Sequence, residues 1–158
     1  MYYSPSRLAE PARAQIADAL NACLADGLDL HSQIKVAHWN IKGPHFAALH
    51  PLFETFALSL ANHNDAIAER AVTLGAKTYG TVRRVAKTSR LPEYEQETTR
   101  DLEHVKLLAD RIEAYLAGLR QSRAVAEKET DQDTVDLLTG IVVEFEKHAW
   151  FLRASLEG

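Results

Sequence analysis

The sequence predicts an all-α protein, a bundle of four long helices with one long crossover between the second and the third. Two observations carry this. Four segments repeat apolar side chains at spacings of three and four, the period of a helix, and no segment alternates with the period of a strand. The chain has 158 residues, 46% hydrophobic and 25% charged, enough for one domain with its own core. A single domain over 1–158 is expected, with a short tail over 1–10.

The first helix is expected over 11–36, with Ile16, Leu20, Cys23, Leu24 and Gly27 on one stripe. Asn40 and Gly43-Pro44 break it. The second covers 45–74, with Leu49, Leu52, Phe53, Phe56, Leu60, Ile67 and Leu74 inward and Gly75 as its stop. Pro51 should kink this helix against the carbonyl of Ala47 unless it lies in the first turn. The stretch 76–96 is too long for a tight turn, and 81–87 is expected as a short helix lying across it. The third long helix covers 97–119, with Leu102, Val105, Ala109, Ile112, Leu116 and Leu119 inward. The fourth covers 131–156, opened by a capping-box-like Thr130 and Asp133. Its inward residues are Leu138, Ile141, Val142, Phe145, Ala149 and Leu152. Four helices with one long crossover suit a ferritin-like arrangement.

Composition excludes several classes. The net charge is −4, so bulk attraction to nucleic acid or an anionic membrane is not expected. Cys23 is the only cysteine, which rules out an intrachain disulfide framework and fits a reducing compartment. The N-terminus lacks the apolar core of a signal peptide, and no apolar run is long enough to span a bilayer. The expected location is the cytoplasm, nucleoid included.

Five side chains point to chemistry: His38, His50, Glu54, Asp65 and Glu69. All are types that bind a borderline divalent metal such as iron. His50 and Glu54 are four apart, as are Asp65 and Glu69, so each pair occupies one helix face. Glu54 and Asp65 share a face but lie about 16 Å apart along a straight helix, too far for one metal centre. Either the chain carries two half-sites, or another copy completes each half across a two-fold interface. If the first two helices form an antiparallel hairpin, His38 and His50 face each other at one level with Glu54 a turn further. Asp65 and Glu69 then remain for a mate. For either pair alone, a surface ion pair is the plainer reading; the joint pattern is harder to dismiss. An intrachain di-iron core is not expected, because Glu-x-x-His is absent and Asp101-x-x-His104 occurs once. Glu144 and His148 lie four apart with no paired set opposite.

The pattern His38-Trp39-Asn40-x-x-Gly43, His50, Asp65-x-x-x-Glu69-Arg70-x-x-x-Leu74-Gly75 resembles the signature of the Dps family. These are dodecameric mini-ferritins named for DNA binding in starved cells. The likeness runs from about Asp18 to Glu157 and includes His148-Ala149-Trp150-Phe151-Leu152. It implies a ferroxidase centre at a dimer interface, with His38, His50 and Glu54 from one chain and Asp65 and Glu69 from its mate. It implies oxidation of Fe(II) to Fe(III), preferably by hydrogen peroxide, and storage of ferric mineral in a hollow dodecamer, which protects against oxidative damage. Glu54 departs from the family, where Asp is commoner, and its longer side chain changes how that ligand reaches the metal. The same donors also suit zinc, a competitor of higher intrinsic affinity.

Other residues have weaker claims. Trp39 is read as an interface packing residue; the resemblance also places it near the iron, where it can intercept radicals. His31 is read as a core or interface histidine and His63 as solvated, while His45, His104 and His148 have no evident partner set. Asp131, Asp133 and Asp136 are either first-turn acids that complement a helix dipole or, by the resemblance, an acidic iron-entry pore at a three-fold axis. Before Lys35 the only basic residues are Arg7 and Arg13, and the C-terminal end is nearly neutral. DNA binding is therefore expected to be weak or absent. The alternative reading is a nucleoid-compacting DNA-binding protein with secondary iron chemistry.

Overall fold

The computed structural model describes residues 1–157. It contains α1 (Glu10–Asn40), α2 (Phe46–Thr73), α3 (Val82–Thr88), α4 (Asp101–Lys128) and α5 (Gln132–Ala154). The four long helices form a square. α1 adjoins α2 and α4, α5 adjoins the same two, and α3 lies on α1. Among the described residues there is no strand, only an isolated bridge between Lys42 and Arg100. No described helix is long and apolar enough to cross a membrane.

The chain path follows from contacts at the two ends of the bundle. The end of α2 meets the start of α1, where Arg13 Nη1 donates to the Leu74 carbonyl at 2.8 Å. The end of α1 meets the start of α4, where Lys42 N donates to the Thr99 carbonyl at 2.8 Å and Asp101 N returns a bond to the Lys42 carbonyl at 3.0 Å. The crossover over 74–100 therefore travels the length of the bundle. Buried polar groups pin it on the way. Asp26, 1% exposed, takes the Arg90 guanidinium at 2.7 Å, and Arg111 donates to the Glu93 carbonyl at 2.8 Å. Each pin satisfies groups that burial would otherwise leave unpaired.

The tail is not loose. Tyr2 N donates to the Gly75 carbonyl at 2.6 Å and Ser4 Oγ to the Thr73 carbonyl at 2.8 Å. Gly75 has φ 88°, and a Cβ there would stand 2.5 Å from the Tyr2 carbonyl oxygen, so only glycine closes α2 under the tail.

Several boundaries differ from the sequence reading. α1 continues to Asn40 because Asn40 Nδ2 turns back to the Val36 carbonyl at 2.9 Å and Ile41 N to Ala37 at 3.0 Å. The break falls at Gly43, φ 140°. α4 starts at Asp101 and runs to Lys128, past the expected end at Leu119, burying Ser122 and Ala126. α2 passes through Pro51 without a break in helical assignment. Ala47 and Pro51 are both exposed, so the carbonyl that proline leaves without a donor faces water. The cap of α5 is shifted by one residue from the expected Thr130. Asp131 is the N-cap and accepts from Thr134 N at 3.4 Å, while Thr130, φ 58°, ends the preceding turn.

Asp131 is only 4% exposed and also accepts from Arg70 Nη2 at 2.7 Å. Burial pushes its carboxyl up, but the bonds from Thr134 and Arg70 outweigh that and hold it below the usual range. A carboxylate with a depressed folded pKa stabilises the protein above its unfolded pKa, and the effect is lost as pH falls through the folded value. Asp131→Ala should cost about 2 kcal/mol through lost capping and lower the melting midpoint by about 4–8 °C. In thermal melts from pH 7 downward, Asp131→Asn should keep its gap from the wild type to about pH 4 and close it only as pH falls further, through the depressed folded value; a constant gap would remove the carboxylate from the explanation.

Candidate metal centre

The hairpin of α1 and α2 brings His38 and His50 together, as their spacing from the loop predicts. Their rings stack with centroids 3.7 Å apart and planes at 18°. The contact is reciprocal. His38 Nδ1 lies 2.7 Å from the His50 carbonyl, and His50 Nδ1 lies 2.8 Å from the His38 carbonyl. A carbonyl only accepts, so both Nδ1 atoms carry a proton, and the neutral tautomer of each ring leaves its Nε2 lone pair free. This is the tautomer a metal requires, set by a bond of the other ring nitrogen. The His38 carbonyl belongs to the last turn of α1, which lacks an intrahelical donor, so the same bond caps the helix.

Glu54 stands one turn along α2, with Oε2 3.6 Å from His38 Nε2. It is paired with Lys35. That hydrogen bond holds the Glu54 carboxyl below the usual range, against the opposing effect of desolvation. Lys35 Nζ also lies 5.7 Å from the centroid of the Trp39 ring. Phe46 closes the other side, stacked on His50 at 4.9 Å.

Asp65 and Glu69 are exposed, and none of the described ion pairs or side-chain bonds uses them. Asp65 lines an open groove of about 380 Å³ with His31, Ala61, Asn64, Ala68, Thr78 and Gly80. His31 lies in the Asp65 groove and is also within electrostatic reach of Lys35 and Glu54. Burial and then Lys35 push its imidazole below the ordinary value. Among the described residues no group of three or more His, Cys, Asp or Glu closes around a point that could hold a metal ion. One chain therefore presents two separated sets of donors and no complete centre. Trp39, 67% exposed, sits beside the first set.

The remaining candidates sort differently. His63 is not solvated: its Nε2 lies 2.6 Å from Glu144 Oε2, and Ser59 donates to the same carboxylate. His148 Nε2, buried, is 3.4 Å from Glu144 Oε1. Ser59 and His63 on α2 therefore bond to Glu144, but among the described residues no metal-holding set opposes Glu144 and His148. Ser59 and His63 share the spacing of four, but serine is not a usual ligand type, so the sequence alone does not mark them as a pair. Burial pushes the Glu144 carboxyl up, and the bonds from Ser59 and His63 pull it below the usual range. His104 is buried with its Nδ1 2.6 Å from the Tyr94 hydroxyl, and Asp101 accepts from His45 N at 2.8 Å and meets its Nδ1 at 2.9 Å. Asp101-x-x-His104 therefore holds loops in place. Of the three acids read either as first-turn acids or as a pore, Asp131 is buried in its cap and its ion pair with Arg70, as the first of those readings has it. Asp133 and Asp136 are exposed. Cys23 bonds to Ser122 Oγ at 3.0 Å, and burial pushes its thiol up to about 11, so it stays protonated and unreactive.

Comparison with known proteins agrees with this architecture. The ferritin-like domain family matches residues 17–158. A DNA protection during starvation protein of Agrobacterium fabrum is 34% identical over 146 residues, covering 92% of this chain and 90% of its own. DNA protection during starvation protein 2 of Bacillus anthracis is 36% identical over 143 residues, covering 90% and 97%. Among solved structures, a Dps protein from Vibrio cholerae O1, described as one of the ferritin-like diiron-carboxylate proteins, superposes with a TM-score of 0.92 at 28% identity, over 99% of this chain and 98% of that one. Mycobacterium smegmatis Dps gives 0.93 at 29%, over 98% and 94%. Fold and matches together define the class, a ferritin-like helical protein. Within it, the chain belongs to the Dps family of mini-ferritins.

The Lys35 contact has a direct test. Lys35→Met should move the Glu54 carboxyl upward toward the ordinary glutamate value, because the largest influence holding it down is gone. Carbon-detected NMR titration of the metal-free protein reads this; an unmoved Glu54 would mean that Lys35 is not its partner in solution.

Proposed function

We propose that this protein oxidises Fe(II) to Fe(III) at centres shared between two chains and stores the ferric product in a hollow, closed oligomer. The observation that carries this is the split donor set: His38, His50 and Glu54 in one place, and Asp65 and Glu69, unpaired, in another. The relatives support the same reading, since the Vibrio cholerae protein is described as a diiron-carboxylate protein. A two-fold mate running antiparallel supplies Asp65 and Glu69 to the histidine pair, giving two imidazoles and three carboxylates per site. Iron is the substrate and cargo. Zinc competes for the same donors.

The roles of the side chains follow from their chemistry. His38 and His50 offer fixed Nε2 lone pairs and need no rearrangement of the hairpin to bind. Glu54, held below the usual carboxyl range by Lys35, adds negative charge beside the two imidazoles. Asp65 and Glu69 bring the further negative charge that favours the ferric product. Two ferrous ions held close together can give one electron each to hydrogen peroxide, which leaves as two hydroxides. That two-electron route releases no hydroxyl radical and makes peroxide the preferred oxidant. Trp39, next to His38, is placed to intercept a stray oxidant. The oligomer is a dodecamer built from two-fold dimers, Asp133 and Asp136 stand where iron enters it, and the protein works in the cytoplasm.

Shared sites make an unusual genetic prediction. His50→Ala and Asp65→Ala should each abolish rapid peroxide-dependent iron oxidation while light scattering still shows the closed oligomer. After the two variants are mixed and subunits exchange, activity should partly return. Each heterodimer has one site with both lesions and one with none. No recovery after demonstrated exchange, or an active monomer, would contradict the shared centre.

A further inference from the structure

His31 stands outside the motif that carries the family resemblance, which begins at His38. Of the seven histidines, the other six each have a hydrogen bond or a carboxylate beside the ring. Among the described residues the His31 ring has neither. It is half-buried in the groove that Asp65 lines, with Leu24, Leu28 and Ala61. On α1 it shares a face with Lys35 and His38, four and seven residues further on. Lys35 and Glu54 both act on its charge, so it also lies close to the carboxylate of the histidine pair. Burial and then Lys35 hold the imidazole below its ordinary value, which favours the neutral ring that binds a metal.

The register of the shared centre puts His31 within reach of it. His38 and His50 face each other across the hairpin, so Glu54, four residues beyond His50, is level with Ile34 on α1. An antiparallel partner that sets its Glu69 opposite His50 also sets its Asp65 opposite Glu54, because both pairs are four residues apart. The centre therefore has two levels. One holds His38, His50 and the partner's Glu69. The next, about 6 Å along α2, holds Glu54 and the partner's Asp65. Glu54 leans back toward the first level, with Oε2 3.6 Å from His38 Nε2. Helical side chains lean toward the N-terminus of their own helix, so the partner's Asp65 leans the other way, toward His31. His31 lies three residues from Ile34, a rise of about 4.5 Å. An imidazole and a metal–nitrogen bond of about 2 Å span that rise.

We infer that His31 is the nitrogen ligand of a second metal position, between Glu54 and the partner's Asp65. The inference rests on the shared-site reading above. Without His31, an ion at this second level meets carboxylates alone, since the other two imidazoles stand at the first. Two carboxylates balance the charge of one divalent ion, and a neutral imidazole adds a borderline donor without adding charge. Each of the two ions in a centre then has an imidazole. Peroxide needs both ions in place to take one electron from each, so His31 sets how fully the second position is filled.

Zinc is the probe, because it takes the same donors and does not change oxidation state. A crystal of the assembled protein soaked in Zn(II), with anomalous data at the zinc edge, should show two ions per shared centre, the second about 2.0–2.1 Å from a ring nitrogen of His31. Calorimetric titration of the assembled protein should resolve two classes of zinc in equal number. His31→Gln and His31→Leu should each weaken the second class by more than the roughly tenfold that loss of an outer-shell partner costs. The first class should be unchanged, and light scattering should match the wild type. Glutamine keeps a hydrogen-bonding side chain and loses the imidazole, so a residue that only supported its neighbours would tolerate that change. Peroxide-dependent iron oxidation should slow in both variants. No zinc between His38 and His50 overturns the shared-site reading. Zinc there, with the second ion absent or out of reach of His31, leaves that reading standing and overturns the assignment of His31. His31→Gln protein that binds both classes as tightly as the wild type overturns it as well. If neither variant assembles, the wild-type crystal decides.

Discussion

The reciprocal bond between His38 and His50 is the constraint on which the site depends. Each imidazole gives its Nδ1 proton to the other residue's carbonyl. One exchange therefore caps the end of α1, fixes the register of the hairpin and selects the tautomer with Nε2 free. Three tasks that a protein can assign to separate residues are done here by two. The cost is that neither ring can change without disturbing the other. Lys35 then sets the third donor by holding the Glu54 carboxyl below its usual range at the rim.

Around this hairpin the rest of the chain acts as a frame. The crossover runs from one end of the bundle to the other and is held by buried polar pins, Asp26 with Arg90 and Arg111 with the Glu93 carbonyl. It delivers Asp101 to the hairpin loop, where the carboxylate receives the His45 backbone and ring. Gly43 permits that approach, since a Cβ there would lie 2.5 Å from Asp101 Oδ2. The loop that carries His38 to His50 is thus tied to α4 as well as to its own helices. At the opposite end, the tail and Gly75 close α2 and set where the crossover begins.

Much of this was readable from the sequence because it follows from periodicity. The four long helices, the short crossover helix and the facing of His38 and His50 all follow from the spacing of apolar and chemical residues. What escaped depends on tertiary partners. The ends of α1 and α4 extend beyond the expected points because Asn40 bonds back to its own helix and Ser122 and Ala126 find a core to bury in. Asp131 was legible as an acid at the start of a helix, but its burial and its ion pair depend on the position of Arg70 across the bundle. His63 looked solvated because Glu144, far along the chain, was invisible as its partner.

The central claim is that one metal centre is built by two chains. A crystal of the assembled protein soaked in Fe(II) without oxygen, with anomalous data on both sides of the iron edge, tests it directly. The account predicts iron peaks between the Nε2 atoms of His38 and His50 with Glu54 on one side, and the partner's Asp65 and Glu69 on the other. Iron bound only within one chain, for example at Glu144 with His63, and no peak at the dimer seam, would contradict it.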